Sequence, residues 1–373
     1  MTIVGPTLDL PPMDVAGRMP RLRESDAFAP LDALLVTRLP NIRYLCGFTG
    51  SAGMLLITGD GAMFVSDGRY EEQAREQLGA VGVDARIAIG TTAARQRELL
   101  HDAIPDGTRL GLEAHGVTWA QQRTFSTEWF PQAELVPTEG VVEQLRRVKE
   151  PAEVARIRTA CAIADDALRE VTPRLGDAPT EQEVALRLEL AMRERGASGN
   201  SFEPIVASGP NGAKPHARPT ARRIQAGELI VLDFGCVVDG YCSDMTRTVS
   251  VGDPGPDARR LWDVVLTSQR AGRAATRAGV ACADVDRACR TVIEEAGLGE
   301  RFVHSTGHGV GLEIHEDPRV AGTARDSLAV GHVVTVEPGV YVPGVGGVRI
   351  EDTVVVTADG ADPLTAFPKE LVI

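Results

Sequence analysis

Four carboxylates stand where strands should carry apolar or β-branched residues. Asp233 ends the run LIVLD, Asp244 lies in YCSDMTRT, Glu337 in VVTVEPG and Glu351 in VRIED. Acids are depleted in strands and are seldom fully buried unless something pairs with them. The first two flank Asp239-Gly240, a strong two-residue hairpin signal. With that pair at the turn, Val238 faces Tyr241 and Gly235 faces Asp244. Alternation then puts Asp233 and Asp244 on one face as diagonal neighbours. Two carboxylates so placed repel each other unless a cation lies between them or one stays protonated. A lone Asp in a hairpin is more often a solvated edge residue, but here four acids recur in two matching strand pairs.

Between the two pairs lies HSTGHGVGLEIHE, with His304, His308 and His315; together with His332, four of the seven histidines fall in this part of the chain. Four carboxylates plus one of these imidazoles match a dinuclear site for divalent ions, four negative charges against four positive. Oxygen-rich ligation favours Mn, Co or Zn in a catalytic role over a structural zinc built on cysteines. Two such ions make a shared water a hydroxide at neutral pH and polarise a carbonyl beside it, which is metal-assisted hydrolysis. His332 begins a strand with no second polar signal and reads as structural; His101 and His115 read as surface or packing residues. Cys236 alternates to the face opposite the acids. Cys242 stays on the acid face but has no second soft ligand there, and reads as a packing residue.

Positioning these groups requires a regular framework. From about Asp32 to Thr138 short apolar runs (DALLVT, MLLIT, MFVSD, RLGLEA) alternate with helical patterns, including about Arg69 to Leu78 and a stretch near Trp119. That order predicts a small α/β domain. A boundary falls near 140–150, where Pro151 fits the first turn of a helix whose Val154, Ile157, Cys161, Ala164 and Leu168 recur on one face. Thr180 and Glu183 form a capping-box signature for a second helix. The acidic hairpin follows, then helices over about Asp257 to Arg277 and Cys282 to Ala296, then the second strand pair, HVVTVEPGVYV and GGVRIEDTVVVT. The order helix, helix, strand pair therefore occurs twice. Two such units can join their strand pairs over one core with the helices on the other side.

Length and composition agree with this reading. A chain of 373 residues predicts two or three domains. A net charge of −13 and only 4% aromatic residues argue against nucleic acid and anionic membranes as partners. The start MTIVGPTLDLPPMD lacks the basic and apolar segments of an export signal, and no apolar run reaches the roughly 18 residues of a membrane span. The expectation is a cytoplasmic protein whose six cysteines, none in a CxxC pair, are reduced.

NGAKPH, VLDFGCVVDGYCSDMTRT, STGHGVGLEIHE, VTVEPGVY and GGVRIED, in this order, resemble the pita-bread metallopeptidases, specifically the aminopeptidase P and prolidase branch. DALLVTRLPNIRYLCGFTGSAGMLLIT and FVSDGRYEEQA resemble the creatinase-like N-terminal domain of that branch. The resemblance implies an N-terminal α/β domain over residues 1–145 and an α+β pita-bread catalytic domain over 146–373, with a pseudo-twofold repeat. It implies the metal ligands Asp233, Asp244, His308, Glu337 and Glu351, holding two divalent ions with Mn first and Co or Zn as alternatives. His216 and His315 resemble histidines that face the substrate and steady the tetrahedral oxyanion, His304 one that lines the pocket, and Arg349 an arginine that orients its neighbours. Glu337 also resembles the proton carrier to the leaving proline nitrogen. Methionine aminopeptidases lack the first domain and creatinase lacks the ligand set.

The activity so implied is cleavage before proline at peptide N-termini, as an Xaa-Pro aminopeptidase acting on proline-containing peptides, in a homodimer. The alternative is a prolidase restricted to Xaa-Pro dipeptides, which must also neutralise the free carboxylate of proline; Arg218, Arg349 and His304 are the candidates for that. A third reading, of another class, is a non-catalytic peptide-binding module on the same fold.

Overall fold

A computed structural model describes residues 8–373 and divides into two compact units. One is Pro12–Arg146; the other is Arg147–Ile373, joined by the described residues 8–11. The sequence places everything before 146 in the first domain, whereas Leu8 and Leu10 pack on the core of the second unit and the Pro11 carbonyl accepts from Arg156 Nη1 at 2.8 Å. Two leucines spaced by one residue carry too little periodicity to show which core they join.

The first unit is built on a mixed six-stranded sheet. Its strands are β1 (Ala33–Val36), β2 (Met54–Thr58), β3 (Ala62–Ser66), β4 (Arg86–Ile89), β5 (Arg109–Glu113) and β6 (Glu134–Thr138), in the order β4-β3-β2-β1-β5-β6. The β2–β3 hairpin turns at Gly59-Asp60-Gly61, while β5 and β4 join their neighbours β1 and β3 in parallel. Such parallel neighbours require crossovers, and the helices Glu71–Ala80 and Ala93–His101 supply them. The first of these starts two residues later than the sequence suggests, because Gly68–Tyr70 form a 3₁₀ turn capped by Asp67.

In the second unit the expected repeat is present. Helices Pro151–Val171 and Glu181–Glu194 precede the first strand pair, and helices Pro256–Ala275 and Cys282–Glu295 precede the second. Pro151 occupies the first turn, and Thr180 and Glu183 form the reciprocal capping box. Ile157, Cys161, Ala164 and Leu168 make the buried face of the first helix. Each large side chain so buried contributes about 2 kcal/mol. One core cluster lies under each helix pair.

The strand pairs are less regular than the sequence implies, since every long strand is interrupted. The first hairpin divides into Ile230–Phe234 and Cys236–Val238, returning as Tyr241–Cys242 and Met245–Val249. Its turn residues Asp239 and Gly240 both have positive φ (43° and 80°), the geometry of the tight turn that matches strand twist. The second pair divides into Val333–Val336 and Gly339–Val342, returning as Gly346–Arg349 and Asp352–Val356. Asp244, Glu337 and Glu351 lie in these interruptions and Asp233 lies one residue from another. The two halves meet there: Glu351 N donates to Thr246 O (3.1 Å), Thr248 and Arg349 exchange two bonds, and Thr353 Oγ1 donates to Asp244 O (2.8 Å).

His332 is buried, accepts from Ala329 N–H at Nδ1 (3.2 Å) and feels the positive charges of Arg147 and Lys149. Burial first, then those charges, push its pKa down to about 4. The imidazole is therefore neutral in the native state while the unfolded chain takes up a proton near pH 6.5, so stability is present above pH 6.5 and lost as pH falls towards 4. Between pH 7 and pH 5 the loss amounts to about 2 kcal/mol. Urea titrations at the two pH values are expected to show a smaller loss for His332→Asn than for the wild type; equal losses would contradict this.

Candidate metal centre

The hairpin register brings the first two acids together. Val238 pairs with Tyr241 and Phe234 with Met245, so Asp233 and Asp244 are the diagonal neighbours expected. In the second pair, Val336 faces Asp352 and Gly339 faces Arg349, and the same register sets Glu337 directly opposite Glu351. One carboxylate oxygen from each of Asp233, Asp244 and Glu351 lies within 4.8 Å of the others. His308, on the short strand Gly307–Gly309, points Nε2 at the same place, 3.6 Å from Asp244 Oδ2 and 3.3 Å from Glu337 Oε1. All five residues that the resemblance implies as ligands thus converge.

The electrostatics of this cluster call for a cation. Asp233 is 8%, Asp244 5% and Glu351 1% exposed. Burial first, then repulsion from the other acids, raises Asp244 and Glu351 well above the ordinary carboxylate range. Burial also raises Asp233, against the pull of Arg349. Glu337 behaves oppositely: burial would raise it, but the hydrogen bond and charge of His308 hold it down at about 2. Asp233 Oδ1 and Glu351 Oε1 are buried with no hydrogen-bond partner. Orphaned anionic oxygens cost several kcal/mol in an interior, and a metal ion removes that cost.

His308 fits the same conclusion. Its Nδ1 lies 2.9 Å from the carbonyl oxygen of Gly309, which only accepts, so Nδ1 carries the hydrogen. Nε2 faces the carboxylate oxygens of Asp244 and Glu337; with no metal bound it meets them as a proton donor, and a divalent ion would take the place of that proton and receive the Nε2 lone pair. The donor set of carboxylates and one imidazole suits Mn, Co or Zn.

Around this cluster stands a second set of residues. Arg349 Nη2 donates to Asp233 Oδ2, its Nε to Thr246 Oγ1 (3.1 Å), and its Nη1 to Tyr341 OH (2.5 Å) and to Pro215 O (3.2 Å). Thr246 Oγ1 in turn donates to Glu351 Oε2 at 2.7 Å. His304 Nδ1 donates to Ser305 O (2.8 Å), so Nε2 accepts from Tyr341 OH (3.0 Å). His315 is exposed and sets its ring edge-on to His308 with centroids 4.4 Å apart. His216 is exposed on the loop after Gly209–Ala213, close enough to His304 and His315 for their charges to interact. Arg218, also exposed, pairs with Glu203 at 3.2 Å.

Tyr341, Thr246 and Thr335, whose hydroxyl donates to Glu337 Oε1 at 3.1 Å, were not singled out by the sequence reading. A tyrosine inside an apolar strand does signal a buried hydroxyl in need of a partner. Cys242 is buried with its thiol pushed up to about 12 by desolvation, and Cys236 likewise, so neither presents a thiolate. His101 and His115 are exposed.

A twofold-repeated helix and strand unit with a buried carboxylate cluster, preceded by a separate α/β unit, defines a pita-bread metallohydrolase of the two-domain type. The chain belongs to metallopeptidase family M24, which it matches over residues 155–358, and residues 18–148 match the creatinase/prolidase N-terminal domain. It is an enzyme of the Xaa-Pro peptidase type, in the aminopeptidase P and prolidase branch. A solved Xaa-Pro dipeptidase from Bacillus anthracis is 39% identical with a TM-score of 0.89, covering 96% of this chain and 100% of that one. An Xaa-Pro dipeptidase of Pyrococcus horikoshii is 34% identical over 92% of this chain and 95% of its own length. An X-Pro aminopeptidase from Thermotoga maritima is 33% identical with a TM-score of 0.83, over 92% of this chain and 98% of that one. The family uses divalent metal ions, and no helix among the described residues is long and apolar enough to cross a membrane.

Proposed function

We propose that this enzyme is an Xaa-Pro dipeptidase. The observation that carries the reading is the near full-length similarity to two Xaa-Pro dipeptidases, one of them at 39% identity, against 33% for the aminopeptidase. It reverses the order that the sequence motifs suggest, in which the aminopeptidase comes first. Asp233, Asp244, His308, Glu337 and Glu351 would hold two divalent ions, Mn before Co or Zn. Such a pair supplies an activated water and a polarised peptide carbonyl. The protein residues do the rest. Arg349 offsets the charge of Asp233 and fixes its orientation, and Gly309 fixes the tautomer of His308. Proline nitrogen has no hydrogen in the peptide and must gain one to leave as an amine, and Glu337 carries that proton. His216 and His315, both exposed beside the cluster, hold the substrate and the oxyanion.

A dipeptidase must also meet the carboxylate of the substrate proline. Of the three groups considered, all three nitrogens of Arg349 and both ring nitrogens of His304 are engaged inside the protein. Arg218, on the His216 loop, is held by an exposed ion pair with Glu203 that a substrate carboxylate can displace at little cost, and it is the receptor of this proposal. The homodimer and the cytoplasmic location belong to the same proposal. Turnover of an Xaa-Pro dipeptide is expected to exceed that of the same peptide extended by one or two residues at least tenfold, with Mn or Co present. Equal or faster cleavage of the longer peptides would restore the aminopeptidase reading.

A further inference from the structure

Glu181, the first residue of the helix Glu181–Glu194, is completely buried. A carboxylate at that depth is tolerated only with a full set of donors. Oε1 accepts from Ser208 N (2.8 Å) and Ser208 Oγ (2.9 Å), and Oε2 from Thr220 N (3.0 Å) and Thr220 Oγ1 (2.6 Å). Asn211 Nδ2 reaches both oxygens, at 3.2 and 3.1 Å. Burial acts to raise this carboxyl, but the bonds from Thr220 and Ser208 outweigh it and hold the group below its usual range. The helix does not need Glu181 as a cap, because Thr180 and Glu183 already form the capping box.

What the carboxylate holds is a loop. Ser208 ends the strand Ile205–Ser208 and Thr220 closes the segment that follows, so one side chain staples both ends of residues 209–219. The helix start adds to this, with Glu181 N donating to Arg222 O and Gln182 N to Thr220 O. Between the staples lie Pro215, His216 and Arg218. The loop's other support is the hairpin beneath it: Pro215 O accepts from Arg349, and a Cβ on Gly347 would come within 1.9 Å of Gly212 O. Backbone packed that closely fixes the height of the loop, and Glu181 fixes its two ends.

We propose that Glu181 is a positioning residue that sets His216 and Arg218 over the metal centre. The kinetic part of this proposal rests on the Xaa-Pro peptidase reading; the structural part does not. In Glu181→Gln one acceptor oxygen becomes an NH₂ group facing the donors of Thr220 or Ser208. Hydrogen exchange is expected to quicken at the amides of Ser208 and Thr220 and through 209–219, while the helix Pro151–Val171 stays protected. Metal content is expected to match the wild type, and kcat/KM on an Xaa-Pro dipeptide to fall about 10- to 100-fold. The double variant E181Q/H216A is expected to lose less than the sum of the two single losses, since the His216 share of the E181Q effect is already gone and only the Arg218 share is left. Thr220→Val, which removes the 2.6 Å bond and leaves the carboxylate, should show part of the same exchange and rate effects, and it decides the matter if E181Q fails to fold. Unchanged loop exchange in E181Q, or additive losses in the double variant, would overturn the proposal. If the wild type cleaves no Xaa-Pro peptide with any metal, the functional reading falls, and the exchange of residues 209–219 still decides whether Glu181 positions them.

Discussion

Asp244→Asn is expected to bind at least one metal equivalent fewer than the wild type after dialysis and to lose Xaa-Pro hydrolysis by at least about three orders of magnitude. Asparagine has nearly the same shape, so the change creates no cavity; it removes one charge and one anionic donor. Asp244 sits beside Asp233, Glu351 and Glu337, and burial and their repulsion hold its carboxyl high. A group in that position destabilises the protein unless a cation is bound. The metal-stripped variant is therefore expected to melt no lower than the metal-stripped wild type. Added Mn should raise the wild-type melting temperature by mass action and leave that of the variant nearly unchanged. Retained turnover would remove Asp244 from the ligand set. A large drop in the melting temperature of the stripped variant would show that the residue holds the hairpin and not a metal.

Several of these features were legible because they follow from local rules. Asp239-Gly240 between two apolar runs determines a tight turn, and that turn determines the register from Val238–Tyr241 to Phe234–Met245 and so the approach of Asp233 to Asp244. Thr180 with Glu183, and Pro151, mark helix starts through the first unpaired N–H groups. The strand interruptions were not legible. They arise where the two hairpins meet and Thr246, Thr248 and Thr353 bond to the opposite half, contacts between residues roughly a hundred positions apart. The choice between dipeptide and longer substrates is also not a matter of periodicity. On the proposed reading it turns on which cations can be released to meet a carboxylate, and the burial of Arg349 among four partners, against the exposed pair of Arg218 with Glu203, is visible only in three dimensions.

Arg349→Lys is the second large effect, and it separates charge from geometry. Arginine here acts as a planar fork, reaching Asp233, Thr246, Tyr341 and the Pro215 carbonyl from three nitrogens, and it is only 3% exposed. Lysine keeps the positive charge but has one nitrogen with three hydrogens and cannot span four partners in different directions. If it stays with Asp233, Tyr341 loses the donor that orients its hydroxyl toward His304, and Thr246 and Pro215 each lose a bond. Such partners of ligating groups typically carry 10- to 100-fold in activity or metal affinity. The expected result is a fall of about that size in kcat/KM at saturating Mn with the bound metal count unchanged. Since the Pro215 carbonyl belongs to the His216 loop, part of the loss should appear in KM. Arg349→Met, which also removes the charge, is expected to lower metal-free stability by about 3–5 kcal/mol in urea titration, because Asp233 is then buried beside three other acids with no cation. Wild-type kinetics in Arg349→Lys would mean that charge alone suffices and that the fork plays no part in orienting the centre.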